Sequence, residues 1–310
     1  MILHYARLRR YPRVFRALTG LTVSEFDDLE AEVLPRQAEA ERGRLHEGRP
    51  LRQREMGGGR TMTLSARDRL LLTVVWLRQY PTHETLGYLF GVSDSTAGRY
   101  IQQVLPVLEE AGRATMAMPN PGRKQGRDLN RLLADVPELA VVVDTFEQAV
   151  QRPQKRVEAD TYYSGKQKRH TLKSQLVVDP YNGHIADVAD SVPGPTADIT
   201  LLEQSGVLHQ LPPGVGILGD LAYVGIDKRC PTVPSATPRR KPPGQPRPAE
   251  DVAYNTAFAR VRVKVEHAVL RVRRYQAVTQ TDRNHRRDHT ARVTAAAYLA
   301  NHQLRSRFVH

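Results

Sequence analysis

The chain has 310 residues, with 46 Lys and Arg against 33 Asp and Glu and a formal net charge of +13. That length points to two domains with ample core, and the basic surplus favours a polyanion, nucleic acid first, over a basic secreted or ribosome-associated role. The single cysteine, Cys230, excludes an intramolecular disulfide and a multi-cysteine zinc site, and the longest apolar stretch, Leu70–Leu77, is too short to span a bilayer. Because Met1–Arg7 carries no signal-peptide pattern, a soluble cytoplasmic protein without membrane partners is expected.

In chain order, residues 22–42 read as a helix with Ser24 as its cap and Leu29 and Val33 on one face. Residues 43–63, with Gly57–Gly59, read as a basic loop. Ser65–Tyr80 reads as an amphipathic helix around Leu70, Val74 and Leu77, followed by a short helix His83–Phe90. Asp94–Ala111, carrying Ala97, Ile101 and Leu105, reads as a third. The link Phe90-Gly91-Val92-Ser93 has the form of a helix-turn-helix turn. The next helix then offers Ser95, Thr96, Arg99 and Tyr100 where a recognition helix touches DNA; a plain helical bundle is the competing reading. These elements make a helical domain over 1–112, with the helix-turn-helix at about 65–111. A polar basic connector, 113–136, separates it from a second domain, 137–310.

The second domain opens with an apolar run, Leu139–Val143, that closes on Asp144, and a later run, Gly214–Gly219, closes on Asp220. Continuous β-branched runs suit strands buried on both faces. An acid at the carboxyl edge of such a strand projects into the crevice of an α/β fold. Read singly, each Asp is first a turn residue or helix cap. The third acid, Glu266, lies on a helix expected over 251–275, flanked by Val263, Val269, Leu270 and Phe258. Arg260, Lys264, His267 and Arg271 form a separate basic stripe. A carboxylate among apolar side chains is costly unless it is paired or holds a metal, and Arg262, one turn back, is the rival partner.

Strands are also expected at Thr171–Asp179 and His184–Ala189, joined by an Asn182-Gly183 hairpin turn, and at Val215–Gly219. A helix is expected over 197–208. Three antiparallel strands, then helix, strand and helix, is the order of a ribonuclease-H-like fold, which makes the chain a multi-domain α/β protein. The Pro- and Arg-rich tract Pro234–Pro248 reads as a mobile loop that orders on DNA.

Five short motifs run in order through this half: Asp144-Thr145 with Arg152-Pro153; Tyr162-Tyr-Ser-Gly-Lys-Gln-Lys-Arg-His170; Pro193-Gly194 with Asp198; Gly219-Asp220-Leu-Ala-Tyr223; and Asn255 with Arg260-Val-Arg-Val-Lys-Val-Glu266. In this order, over about residues 60–280, the chain resembles the DDE-type transposases of bacterial insertion sequences, in the branch related to PIF/Harbinger elements. It departs from them at Ala197, where His is usual, and at Ala222, where Gly is usual.

The resemblance implies that Asp144, Asp220 and Glu266 are the catalytic acids and together hold two Mg²⁺ ions, Mn²⁺ substituting, with Asp144 as the bridging ligand. Two such ions about 3.5–4 Å apart activate an attacking oxygen and stabilise a leaving one, which phosphodiester cleavage requires, and Mg²⁺ favours carboxylate oxygens. Lys166, Lys168, Arg169 and His170 would grip DNA beside the cut, unless they are a solvated hairpin. Arg260, Lys264 and Arg271 would add contacts from the late helix. Tyr163 and Tyr223 serve either the site or the core. The implied partners are double-stranded DNA, at element ends and target, and further copies of the chain. The implied activity is cleavage and strand transfer. A catalytically decayed or domesticated DNA-binding protein is the alternative, and a nuclease with no transposition partner is a third.

Overall fold

Capping residues set the helices of the first unit more sharply than apolar spacing does. The computed structural model describes residues 2–46, 63–120 and 139–305, so the Gly57–Gly59 loop and most of the 113–136 connector lie outside the described residues. The chain divides into two units, one of Met1–Thr115 with Arg274–Val278 and Thr294–His310, the other of Met116–Arg273 with Thr279–Val293. The final segment therefore groups with the N-terminal helices, where the sequence reading ran the second domain on to residue 310.

In the first unit, α1 (Tyr5–Leu8) and α2 (Pro12–Thr19) precede the long α3 (Val23–His46). The cap of α3 is Thr22, not Ser24. The Thr22 hydroxyl accepts from the Glu25 amide (3.1 Å) and the Glu25 carboxylate accepts from the Thr22 amide (2.7 Å), a reciprocal capping box that satisfies two orphan donors. Ser65 caps α4 (Ala66–Gln79), Thr82 caps α5 (His83–Phe90), and Ser93 accepts from the Thr96 amide at the start of α6 (Asp94–Thr115). Gly91, at φ +68°, makes the left-handed step that lets α5 end and α6 begin. The expectation that α4 is amphipathic fails: every residue from Arg69 to Leu77 is buried, because α2, α3 and α6 surround it. Tyr298 in the Thr294–Arg305 segment donates to Glu32 of α3 (2.6 Å).

The second unit is built on a mixed sheet. β1 (Leu139–Ala149) is followed by α7 (Arg156–Tyr162), β2 (Tyr163–Ser164), β3 (Arg169–Val178), β4 (Ile185–Val188) and β5 (Val192–Pro193). Then come α8 (Asp198–Gln204), α9 (Val207–Gln210), β6 (Val215–Leu218), α10 (Ile226–Arg229), β7 (Ser235–Ala236), α11 (Ala249–Arg273) and the start of α12 (His289–Arg305), whose residues from Thr294 onward group with the first unit. The helix expected over 197–208 is two, broken at Gly206. β3 lies between β1 and β4, antiparallel to both, while β6 lies parallel to β1 and β7 parallel to β6. The spatial order is therefore β4-β3-β1-β6-β7, with β2 and β5 also on β3.

Register fixes which face each side chain takes, because directly paired residues share a face. Val141, Val143 and Val177 pack with Ile199, Leu202, Val207 and Ile226 on the side of α8 to α10. Asp144, Phe146 and Gln148 alternate onto the other side, where α11 crosses β1 and β3. The Asn182-Gly183 link is a longer turn than a two-residue hairpin. Asp179 closes it, accepting from the Tyr181 amide (2.8 Å) and the Asn182 side chain (2.9 Å).

Candidate active site

β1 and β6 pair in parallel through Val142 and Leu218. Asp144 and Asp220 each follow two residues later, so both acids are carried past the last paired position of neighbouring parallel strands. The expected strand end at Asp144 is corrected here: β6 stops, but β1 continues to Ala149, paired with β3 as Asp144 with Leu176. Asp220 caps the start of a one-turn 3-10 helix, Leu221–Tyr223, its carboxylate accepting from the Ala222 amide (2.8 Å). Ala222 supplies only that amide, and its φ is negative, so nothing there demands glycine. Gly219 is demanded, because a Cβ on it would meet Tyr223 at 2.6 Å. Tyr223 is a core residue, fully buried, with its hydroxyl donating to Gln175 (3.3 Å).

Glu266 does not lie inside the apolar face of α11. The buried stripe is Phe258, Val261, Val265, Ala268 and Val272, and Leu270 is exposed. The sheet selected this stripe over the one through Val263 and Leu270, which left the Glu266 side chain 54% exposed at its border. Arg262 connects it to the strand: one guanidinium nitrogen stands 3.7 Å from Asp144 and 3.9 Å from Glu266. Both separations exceed a hydrogen bond. Among the described residues the Arg262 Nε, which is buried, has no hydrogen-bond partner.

Burial pushes the Asp144 carboxyl up to about 6, and the charges of Asp220 and Asp198 push the same way. The Thr145 amide, which donates to it (2.8 Å), and Arg262 pull less strongly downward. Asp144 is thus a carboxylate whose surroundings leave it short of positive charge. On the opposite face, buried Lys173 donates to Asp198 and to the Thr196 carbonyl, both at 2.6 Å. Neither Arg262 nor the Lys173–Asp198 pair stood among the expected site residues. The signal for Lys173 was present, since a lysine within a buried strand requires a partner. Ala197 provides no side-chain cap for α8.

The other expected residues are dispersed. Lys166, Lys168 and Arg169 are exposed and His170 is half-buried, packed edge-on against half-exposed Tyr163 (5.5 Å). They do not lie beside the acids. Register places Thr171 opposite Ala149, so the hairpin leaves the sheet roughly 17 Å from Asp144 at about 3.3 Å per strand residue. On α11, Arg260 is exposed and Lys264 half-buried, but Arg271 donates to the Gly183 carbonyl and so serves the β3–β4 turn. The Pro-rich tract is anchored, not loose. It contains β7, and Asn255 bonds both the amide (2.8 Å) and the carbonyl (3.0 Å) of Arg239. In the first unit Ser95 and Arg99 are exposed and Thr96 is half-buried, but Tyr100 is in the core beneath Arg69.

Residues 143–301 match the model of the DDE superfamily endonucleases, a span that starts one residue before Asp144 and takes in Asp220 and Glu266. The chain belongs to the DDE superfamily endonucleases. Residues 63–114 match the helix-turn-helix of the same superfamily, which covers α4 to α6. A curated relative from Microchaete diplosiphon, a probable transposase for insertion sequence element IS702, is 29% identical over 249 residues, covering 79% of this chain and 83% of that protein.

DDE superfamily chemistry implies a divalent metal. Among the described residues no three His, Cys, Asp or Glu side chains stand close enough together to hold one. The donors nonetheless suit a hard cation. Burial, and then its acidic neighbours, raise the Asp144 carboxyl, and the cation beside it makes no hydrogen bond to it. Among the described residues no helix is long and apolar enough to cross a membrane.

Proposed function

We propose that this chain is the transposase of a bacterial insertion sequence, cutting phosphodiester bonds at element ends and joining them to target DNA in the cytoplasm. The observation that carries the reading is the equivalent placement of Asp144 and Asp220 beyond the β1–β6 pairing, with Glu266 linked to Asp144 through Arg262. The strand order β4-β3-β1-β6-β7 supports a ribonuclease-H-like catalytic unit. The name of the Microchaete diplosiphon relative supports transposition. The binding-only alternative is not favoured, because the match to the endonuclease family spans Asp144, Asp220 and Glu266.

In this reading Asp144, Asp220 and Glu266 would hold Mg²⁺ or Mn²⁺, two ions in all. The metal would supply charge for the attacking and leaving oxygens of the phosphodiester. Asp144 contributes a carboxylate already short of positive charge. Arg262 lies between Glu266 and Asp144 and balances part of the local negative charge. The Gly219–Tyr223 contact fixes the backbone that carries Asp220. Ser95, Thr96 and Arg99 read element ends, Lys166, Lys168, Arg169 and His170 hold DNA away from the cut, and Arg260 and Lys264 hold it near α11. Copies of the chain assemble on paired ends.

The test is metal-dependent nicking of a duplex that contains an element end. Asp144→Ala, Asp220→Ala and Glu266→Ala should each abolish nicking in Mg²⁺ or Mn²⁺ while folding and DNA binding persist. If Glu266→Ala cuts at near the wild-type rate, that acid is structural and the assignment fails.

A further inference from the structure

Beyond the end of β1 the second unit has an open cleft of about 570 Å³, formed between residues 150–155 and 282–286. Its floor is rigid. The Asp282 amide donates to the Ala149 carbonyl (2.8 Å), continuing the strand pairing, and the Asp282 carboxylate is consumed in a fully buried ion pair with Arg292. Its other acid, Glu158, is held by Arg286 (2.9 Å), whose guanidinium also lies over the Tyr162 ring (4.6 Å). The negative charge in the cleft is thus already neutralised. Arg152 and Lys155 are exposed on its lining, and among the described residues neither pairs with a carboxylate.

The position of the cleft adds to its charge. The Val150 amide donates to the His170 carbonyl (2.9 Å), so the β2–β3 hairpin with exposed Lys166, Lys168 and Arg169 departs from this same end of the sheet. Cations from two separate segments converge on one end of the β1–β3 ribbon, and the acids lie toward the other.

We propose that this cleft is a second DNA site, in which Arg152 and Lys155 grip the sugar–phosphate backbone of the strand engaged at Asp144. Six residue steps separate Asp144 from Val150, just past the end of β1, about 20 Å at 3.3 Å each, which corresponds to about six base pairs at 3.4 Å per step. The side chains of Gln151 and Gln154 beside them can donate to phosphate or sugar oxygens without reading sequence. The cleft therefore adds affinity and sets the register of the duplex; it does not choose the bases. The distance to the cut rests on the proposed catalytic role of Asp144, whereas the grip itself does not.

The experiment is an Arg152→Gln/Lys155→Gln double variant of the full chain, bound to duplex DNA over a range of salt concentrations and then footprinted by phosphate-ethylation interference. Both side chains are exposed, so the fold is expected to hold. The slope of log K against log salt should become shallower by up to about 1.8, at about 0.9 for each phosphate that is no longer neutralised. Interference should disappear at a phosphate about six base pairs from the cut. A wild-type slope in the double variant overturns the proposal, as does an unchanged slope with weakened binding to polyglutamate, which would assign the cleft to an acidic protein. The slope can be read on any duplex, cut or not. It therefore judges the cleft even if nicking fails and the transposase reading falls.

Discussion

Two polar clusters occupy the same face of β1, four residues apart, and they are finished to very different degrees. Around Gln148 every group has a matched partner. The Gln148 carbonyl faces His289 Nε2 (2.8 Å), which must donate to it, so Nδ1 accepts from Ser191 (2.7 Å). Ser191 in turn accepts from Ser174 (2.9 Å), and the Gln148 amide donates to the Gln280 carbonyl (2.7 Å). The chain of hydrogen bonds is neutral and is centred on fully buried His289 and Gln148. Around Asp144 the groups are charged and held at 3.7 and 3.9 Å. A closed network of hydrogen bonds specifies packing. An open cluster of charges costs stability and persists where it has a ligand to bind.

The largest effect expected from this contrast is at the closed network. His289→Leu removes the donor to buried Gln148 and the acceptor for half-buried Ser191. A loss on the order of 2–4 kcal/mol is expected at pH 8 by chemical denaturation. The pH dependence should change as well. Burial, and then Arg292, lower the His289 pKa from 6.5 to about 3. The unfolded chain therefore takes up a proton that the folded chain refuses, so stability is complete above pH 6.5 and is lost as pH falls toward 3. The variant should lack that part of the acid sensitivity. An unchanged profile between pH 6.5 and 4 would mean the imidazole is not held neutral.

At the open cluster the opposite sign is expected. Asp144 is raised from 3.8 to about 6, so between those values the folded chain holds a proton that the unfolded chain has released. Its stabilising contribution is complete below pH 4 and is lost as pH rises through 6. Asp144→Asn keeps the shape and the bond from Thr145 but removes the ionisation. Without divalent metal it should be more stable than wild type at pH 8, by up to about 3 kcal/mol at 1.36 per pKa unit, and no more stable at pH 4. Thermal melts at the two pH values in a chelator decide this. Equal or lower stability of the variant at pH 8 would remove the claim that the site is strained by its charge.

The sequence disclosed the acids but not their surroundings, for physical reasons visible at particular residues. Asp144 and Asp220 were legible because apolar β-branched runs lead into them, and Gly219 and Tyr223 because a motif joins them. The exposure of Glu266 was not legible, since α11 carries two apolar stripes and only the sheet decides which is buried. Tyr100 and Arg271 show the same limit. Helical spacing placed both on DNA-facing surfaces, but Arg69 covers one and the Gly183 carbonyl holds the other. Ser24 lost the cap of α3 to Thr22 because only Thr22 has Glu25 at the capping-box distance. The helix-turn-helix was read closely because its helices begin at Thr82 and Ser93, each a strong local cap.

The smallest effect concerns the two sides of α11, and it tests whether the open cluster is distinct from the DNA-holding surface around it. Arg260 and Lys264 lie clear of the buried stripe, whereas Arg271 would confuse the experiment because its removal also frees the β3–β4 turn. In an Arg260→Gln/Lys264→Gln variant, duplex binding should weaken, and its salt slope should become shallower by about 0.9 for each phosphate left without its cation. Nicking at saturating DNA should be nearly unchanged, because no carboxylate is altered. Glu266→Gln should behave in the converse way, losing nicking while keeping the wild-type slope. The pairing with Arg262 is only 3.9 Å and half-exposed, so folding should tolerate that change. If the Arg260/Lys264 variant keeps the wild-type slope, the exposed side of α11 does not face DNA. The acids would then have to be reached from the β6 side, across the loop that carries Asp220.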